Sequence, residues 1–180
     1  LQVDQTITLT SNAWLSGGGT VQGTVKVQGG SVAPGMSPGH LSIMGDLDFS
    51  ASGGQFGPGQ LVIELGSDAT PGGTYDVLDV SGTLNLGSDA VLTVQLLDGF
   101  NAAGSYEFLR FGTLAGGGTS AFSEVHVFDA QGNPYSGLSF DLAGGRYGLH
   151  LPAVPEPQAA LLLLLGLVTL RLRQRAARRH

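Results

Sequence analysis

Short runs in which apolar and polar residues alternate, each closed by a glycine-bearing turn, fill the chain from Leu1 to about Leu151. In QVDQTITL the residues Val3, Gln5, Ile7 and Leu9 share one face, and in TVQGTVKV so do Val21, Val25 and Val27. Further runs are LSIMGDLDF, QLVIEL, YDVLDV, TLNL, VLTVQLL, YEFLRF, VHVF, LSFDL and YGLHL. Segments of this length, rich in branched and aromatic residues and bounded by Gly, Ser, Asn, Asp and Pro, predict β-strands. No part of the body sustains an apolar period near 3.6, so helices there are expected to be absent or very short.

The runs also recur. GTVQGTVKVQGG, GHLSIMGDLDFSASGG and SGTLNLGSDAVLTVQLLDG each pair two apolar strands around a glycine-containing break, at a spacing of roughly 16–20 residues. That is the size of one coil of a parallel β-solenoid, whose turns cannot bury their apolar faces singly and so stack. The expected fold class is therefore all-β, a right-handed β-helix-like solenoid. An antiparallel β-sandwich or jelly roll with glycine-rich hairpins is the alternative that the same pattern supports.

Composition fits a turn-rich β protein. Of 180 residues, 30 are glycine without a Gly-X-Y period, 42% are apolar, and only 12% are charged. Residues 1–154 carry Lys26, Arg110 and Arg146 against 13 acidic residues, a net of −10, whereas the last ten residues carry five arginines. So acidic a body repels phosphate backbones, which argues against nucleic-acid binding. The absence of cysteine removes disulfides, thiolate nucleophiles and Cys-ligated metals together. Because the chain starts at Leu1 rather than Met, any secretion signal is expected upstream of it.

From Val25 to Phe122 the segments VAPGMSPGHLSIMGDLDF, LVIELGS, YDVLDVSGTLNLGSDAVLTVQLL and YEFLRFGTLAGGGTSAF resemble the repeat region of bacterial autotransporter passengers. There a Pro-Gly-x-Ser-Pro-Gly corner leads into Leu-rich coils. The resemblance implies a right-handed parallel β-helix displayed outside the cell, and it transfers no catalytic residue.

Candidate chemistry in the body is sparse. GMSPG, residues 35–39, fits the G-x-S-x-G nucleophile elbow. Yet Pro38 follows Ser37 and has no N–H for an oxyanion hole, and a strand-like run follows where a helix should open. Ser37 therefore reads as part of a proline-fixed corner. Asp46 and Asp48 fall on one strand face and could share a calcium ion or a sugar hydroxyl, although a solvated outer face explains them more simply. Asp76 and Asp79, three apart, point to opposite faces and cannot alone make a glycosidase carboxylate pair. His40, His126, His150 and His180 lack metal-site spacing. Trp14, Tyr75, Tyr106 and Tyr147 are expected to pack the core or cap coil ends, with sugar stacking as their alternative use. SGGGT and AGGGT lack the spacing and the GK[ST] ending of a phosphate loop. No catalytic residue, metal or cofactor is expected.

The chain closes with VPEPQAALLLLLGLVTLRLRQRAARRH. Residues 159–170 are almost entirely Leu, Ala and Val, which predicts a helix, but twelve residues reach only ~18 Å against a ~30 Å hydrocarbon core. Extension to Leu172, with arginines reaching for the interface, narrows the difference. Five unpaired arginines beside the run argue against its burial in a protein core. A proline pair, an apolar helix and an arginine cluster, in that order at the C-terminus, are similar to the PEP-CTERM sorting signal. Pro155, Glu156 and Pro157 supply the motif. Ala159, Leu161, Leu165 and Leu170 mark the membrane helix, and Arg171, Arg173, Arg175, Arg178 and Arg179 the topology signal.

The resemblance implies export, transient arrest in the inner membrane, and processing by exosortase, a membrane-embedded cysteine protease, in Gram-negative bacteria that make exopolysaccharide. The arginines would stay cytoplasmic and the acidic body would lie on the far side. The organisation expected is a Gly-rich body over 1–151, a Pro-containing linker over 152–158, a sorting helix over 159–172 and an Arg-rich tail over 173–180. The expected function is that of a surface or extracellular-matrix structural or adhesive protein, not an enzyme. The alternative is a β-helix that binds or cleaves carbohydrate.

Overall fold

The computed structural model describes residues 5–50, 56–66, 70–101, 105–115 and 121–149. In chain order the strands begin with β1 Thr6–Leu9, β2 Trp14–Gly17, β3 Gly19–Gln22, β4 Thr24–Val27, β5 Ser31–Pro34, β6 His40–Met44 and β7 Leu47–Asp48. They continue with β8 Gln60–Leu65, β9 Val77–Asn85, β10 Val91–Leu96, β11 Tyr106–Leu114, β12 Glu124–Phe128, β13 Phe140–Ala143 and β14 Arg146–Leu149. The protein is all-β, with no helix among the described residues. The expected C-terminal helix over 159–172 lies outside them.

The chain moves back and forth between two sheets. One has the order β12-β10-β8-β5-β2, and the other runs β1-β4-β7-β9-β11-β14-β13 with β3 and β6 joined beside β9. Up to β12 every strand pairing is parallel. Parallel neighbours need a long return path, and here the opposite sheet supplies it. Among the described residues antiparallel strand pairing, on which the sandwich alternative rests, is confined to β11, β14 and β13.

The repeat length expected from the sequence describes only the first circuit. Thr6 pairs with Thr24 and Trp14 with Ser31, one short coil further along the chain. Leu47 pairs with Leu84 and Gln60 with Val91, across coils close to twice as long. Most of the extra residues lie in the connections, and the paired strands stay in register because each must bury its apolar side chains.

Alternation becomes burial. β8, QLVIEL, turns Leu61, Ile63 and Leu65 inward with no exposure, and β10 buries Leu92 and Val94 beside them. Val25, Val27, Ile43, Leu47, Leu78, Leu84 and Leu109 do the same from the second sheet. At roughly 1.5–3 kcal/mol for each large side chain removed from water, these rows supply the main stabilising force.

A column of glycines creases the second sheet. Gly23 separates β3 from β4 and Gly45 precedes β7, while Gly82 and Gly112 sit inside β9 and β11. A Cβ on Gly45 would lie 2.3 Å from the Gly23 carbonyl oxygen, one on Gly82 2.7 Å from that of Gly45, and one on Gly112 2.6 Å from that of Ser81. Backbone thus packs on backbone through the crease, and Gly23 and Gly82 N–H donate there to the Met44 and Gly45 carbonyls.

Aromatic rings cluster near β11 and β14. Phe108 meets Phe140 and Tyr147 edge-on at 6.1 and 5.9 Å, and Phe122 meets Tyr147 at 5.3 Å and Phe49 at 6.3 Å.

Candidate functional site

Parallel pairing lines up outward residues that are far apart in sequence. His40 and Ser42 on β6, Asp79 on β9, Arg110 and Glu107 on β11 and Arg146 on β14 come together on the outer face of the second sheet. Ser42 stands opposite Asp79, Asp79 opposite Arg110, and Arg110 opposite Arg146. His40 Nε2 lies 2.6 Å from Asp79 Oδ2. Arg110 Nε donates to Glu107 Oε1 at 2.7 Å, and Arg146 Nη1 donates to Glu107 Oε2 at 2.8 Å. Asp79 Oδ1 is buried and has no hydrogen bond, with Arg110 Nη1 standing 3.5 Å away. Partial burial works against ionisation of Glu107, but the two arginines overcome it and hold the carboxyl below its ordinary range. The row is a surface charge ladder, and beside it a cleft of about 430 Å³ is lined by Glu107, Asp141 and Arg146.

A second outward region lies on the other side of the glycine crease. Thr6, Thr24, Lys26, Asp46, Asp48, Thr83 and Asn85 line a trough of about 420 Å³. Thr6 faces Thr24, Lys26 faces Asp48, and Asp48 faces Asn85 in register. The expectation that Asp46 and Asp48 share a face therefore holds. Each has one oxygen committed to the fold: Asp46 Oδ1 accepts the Thr83 N–H at 2.6 Å, and Asp48 Oδ1 accepts the Ser50 N–H at 2.9 Å. The remaining groups are hydroxyls, an amide, two carboxylate oxygens and one ammonium, a mixture suited to hydrogen-bonding a hydroxyl-rich ligand. Among the described residues no group of three or more His, Asp or Glu could hold a metal ion.

Asp76 and Asp79 do point to opposite faces. Asp76 is 1% exposed and accepts the Gly39 N–H at 2.7 Å and the Glu64 N–H at 2.8 Å, so it ties the corner over residues 35–39 to β8. Burial nevertheless pushes its carboxyl up to about 6. Ser37 sits in that corner at φ 71° with Pro38 after it, and β6 follows instead of a helix, which leaves no elbow geometry. His126 lies on β12, 2.9 Å from Glu124, and exposed.

Tyr75, Tyr106 and Tyr147 are buried in the core, and burial raises the phenol pKa of Tyr75 and Tyr147. The Tyr106 O–H is shared between the carbonyls of Gly66 and Asn101. Trp14 instead stands exposed at the edge of the first sheet. Arg110, Glu107, Arg146, Lys26 and Asn85 are site residues that no sequence signal picks out. Their shared outward position depends on register between strands a whole coil apart, which no local motif announces.

Pro155, Glu156, Pro157, the helix residues Ala159, Leu161, Leu165 and Leu170, and the five tail arginines all lie outside the described residues, as do His150 and His180. No described helix is long and apolar enough to cross a membrane. Comparison with protein-family models, curated proteins and solved structures returns no match for the chain.

Proposed function

We propose that this chain is an exported structural or adhesive protein of the cell surface or extracellular matrix, delivered by a C-terminal sorting tail. In this reading the body over 1–151 is a right-handed parallel β-solenoid, and residues 152–180 are a PEP-CTERM-like signal that exosortase processes at the inner membrane. The observation that carries the proposal is the order of three unlike features in the tail: Pro155-Glu156-Pro157, the apolar run over 159–170, and Arg171 to Arg179. Support from the body is compositional and architectural. It is strongly acidic and free of cysteine, and its strands pair in parallel up to β12.

Replacing Pro155, Glu156 and Pro157 together by alanine is expected to leave an unprocessed, membrane-bound precursor. The mass of the mature C-terminus reads this directly, because processing removes the arginine cluster. Normal maturation of the altered chain would sink the sorting assignment.

A second reading is favoured by one observation, the trough around Lys26, Asp48 and Asn85 with its mixed donors and acceptors. In that reading the body binds a hydroxyl-rich polysaccharide, such as the producing cell's own exopolysaccharide, along the creased sheet.

A further inference from the structure

Parallel register turns the trough beside the glycine crease into a lattice. One outward row crosses the strands as Thr6, Thr24, Asp46, Thr83 and Thr113. A second, two residues further along each strand, runs Thr8, Lys26, Asp48, Asn85 and Ala115. Each row takes one residue from each of five successive circuits of the chain. The residues between and beside them, Leu9, Val25, Val27, Leu47 and Leu84, are buried, which holds both rows outward.

Part of this lattice is committed to the fold. The Thr83 and Thr113 hydroxyls lie 3.1 Å apart, Asp46 and Asp48 each give one oxygen to a backbone N–H, and Asn85 Oδ1 accepts the Gly87 N–H at 3.3 Å. Lys26 makes no ion pair among the described residues although Asp48 stands beside it in register, whereas Arg110 and Arg146 both bind Glu107. The Lys26 ammonium, the Asn85 amide N–H groups, the Thr6 and Thr24 hydroxyls and the second carboxylate oxygens therefore face the trough with nothing else to bond.

We propose that the trough takes a straight, uncharged glycan lying across the strands, one sugar unit to each circuit. The inference rests on the polysaccharide reading of the same trough and names the class of chain it accepts. Direction follows from the lattice: along a strand only two outward positions precede or follow the crease, whereas across the strands polar groups recur at the ~4.8 Å spacing of paired strands. A β-1,4-linked hexose chain is extended and advances by one ring length per unit, close to that spacing, with hydroxyls on every ring that both donate and accept. An α-1,4-linked chain coils and loses the match after one or two units. Charge excludes an acidic glycan, because the trough holds two carboxylates to one ammonium within a body of net −10 over residues 1–154.

The full-length chain, held in a detergent without a sugar headgroup, is titrated calorimetrically with β-1,4-linked glucose oligomers of two to six units. Affinity is expected to rise about threefold with each unit up to five and to stop rising at six. Thr6→Val with Thr8→Val keeps a strand-forming shape and removes the hydroxyls of the first circuit, so the plateau should move to four units with far-UV circular dichroism unchanged. An α-1,4-linked glucose hexamer and a β-1,4-linked uronate hexamer should each bind at least about tenfold more weakly than the β-1,4-linked glucose hexamer. Equal affinity for dimer and hexamer, or a plateau that stays at five in the valine variant, would overturn the proposal. So would tighter binding of the uronate. Binding of the producing cell's own exopolysaccharide without the glucose hexamer would overturn the match of one unit to each circuit and leave the broader polysaccharide reading standing, whereas binding of neither would sink both.

Discussion

Asp76 is the one carboxylate fully inside the described body, and the two N–H groups it accepts, from Gly39 and Glu64, are donors that would otherwise face no partner there. Burial is the larger influence, raising its pKa from 3.8 to about 6 in the folded state. Between those values the folded protein holds a proton that the unfolded chain has released. The stability from this group is therefore fully present below about pH 4 and declines as pH rises through 6, by an amount on the order of 3 kcal/mol. Glu107 has the opposite sign, its contribution being lost as pH falls through its depressed value. Urea midpoints at pH 4.5 and 7 are expected to show Asp76→Asn with a flatter pH dependence than the parent. The variant should also be less stable at both, since an amide offers one acceptor to two donors. That Asp76 and Asp79 face opposite ways was legible from their spacing of three. That one is buried and the other sits in a charge ladder was not, because His40 and Arg110 reach Asp79 from the coils before and after it.

Strands with clean alternation were legible, and those without it were not. QLVIEL became β8, and YDVLDV and TLNL merged into one strand, β9, because Gly82 lets the backbone run on through the crease. The strands WLSG and SVAP, β2 and β5, had no signal: four residues each, ending in Gly17 and Pro34, too short to show a period. Their strand character comes from pairing with each other and, for β5, with β8. The crease is equally a property of the assembled sheet. Gly45→Ala is expected to destabilise by about 3 kcal/mol, because its Cβ would meet the Gly23 carbonyl oxygen and carbon at 2.3 and 2.6 Å, atoms fixed by the neighbouring strand. Gly132→Ala, at φ +81° but with nothing within 4 Å, should cost only about 1 kcal/mol by the same denaturation assay.

For the molecule as a whole, the acidic body and the arginine-rich terminus divide the chain's charge so that neither sign is spread evenly, and this division was visible from the residues alone. Which outward residues come together in the trough was not, since it is assembled from four strands, β1, β4, β7 and β9, and from Asp46 just before β7. If the trough binds polysaccharide, Lys26→Ala and Asp48→Asn should each weaken affinity about tenfold in a sedimentation or titration assay. Neither should affect the release of reducing ends, which is expected to be nil; measurable release would replace the structural reading with an enzymatic one.

The glycine crease has a consequence for how such a protein can change over time. Its four stacked positions leave no room for a Cβ, while the connections outside them differ in length from circuit to circuit, so longer connections fit at the corners without disturbing the stack. A glycine recurring once per circuit then serves as a ruler, by which further turns could be counted, or grafted in, without knowing anything else about the chain.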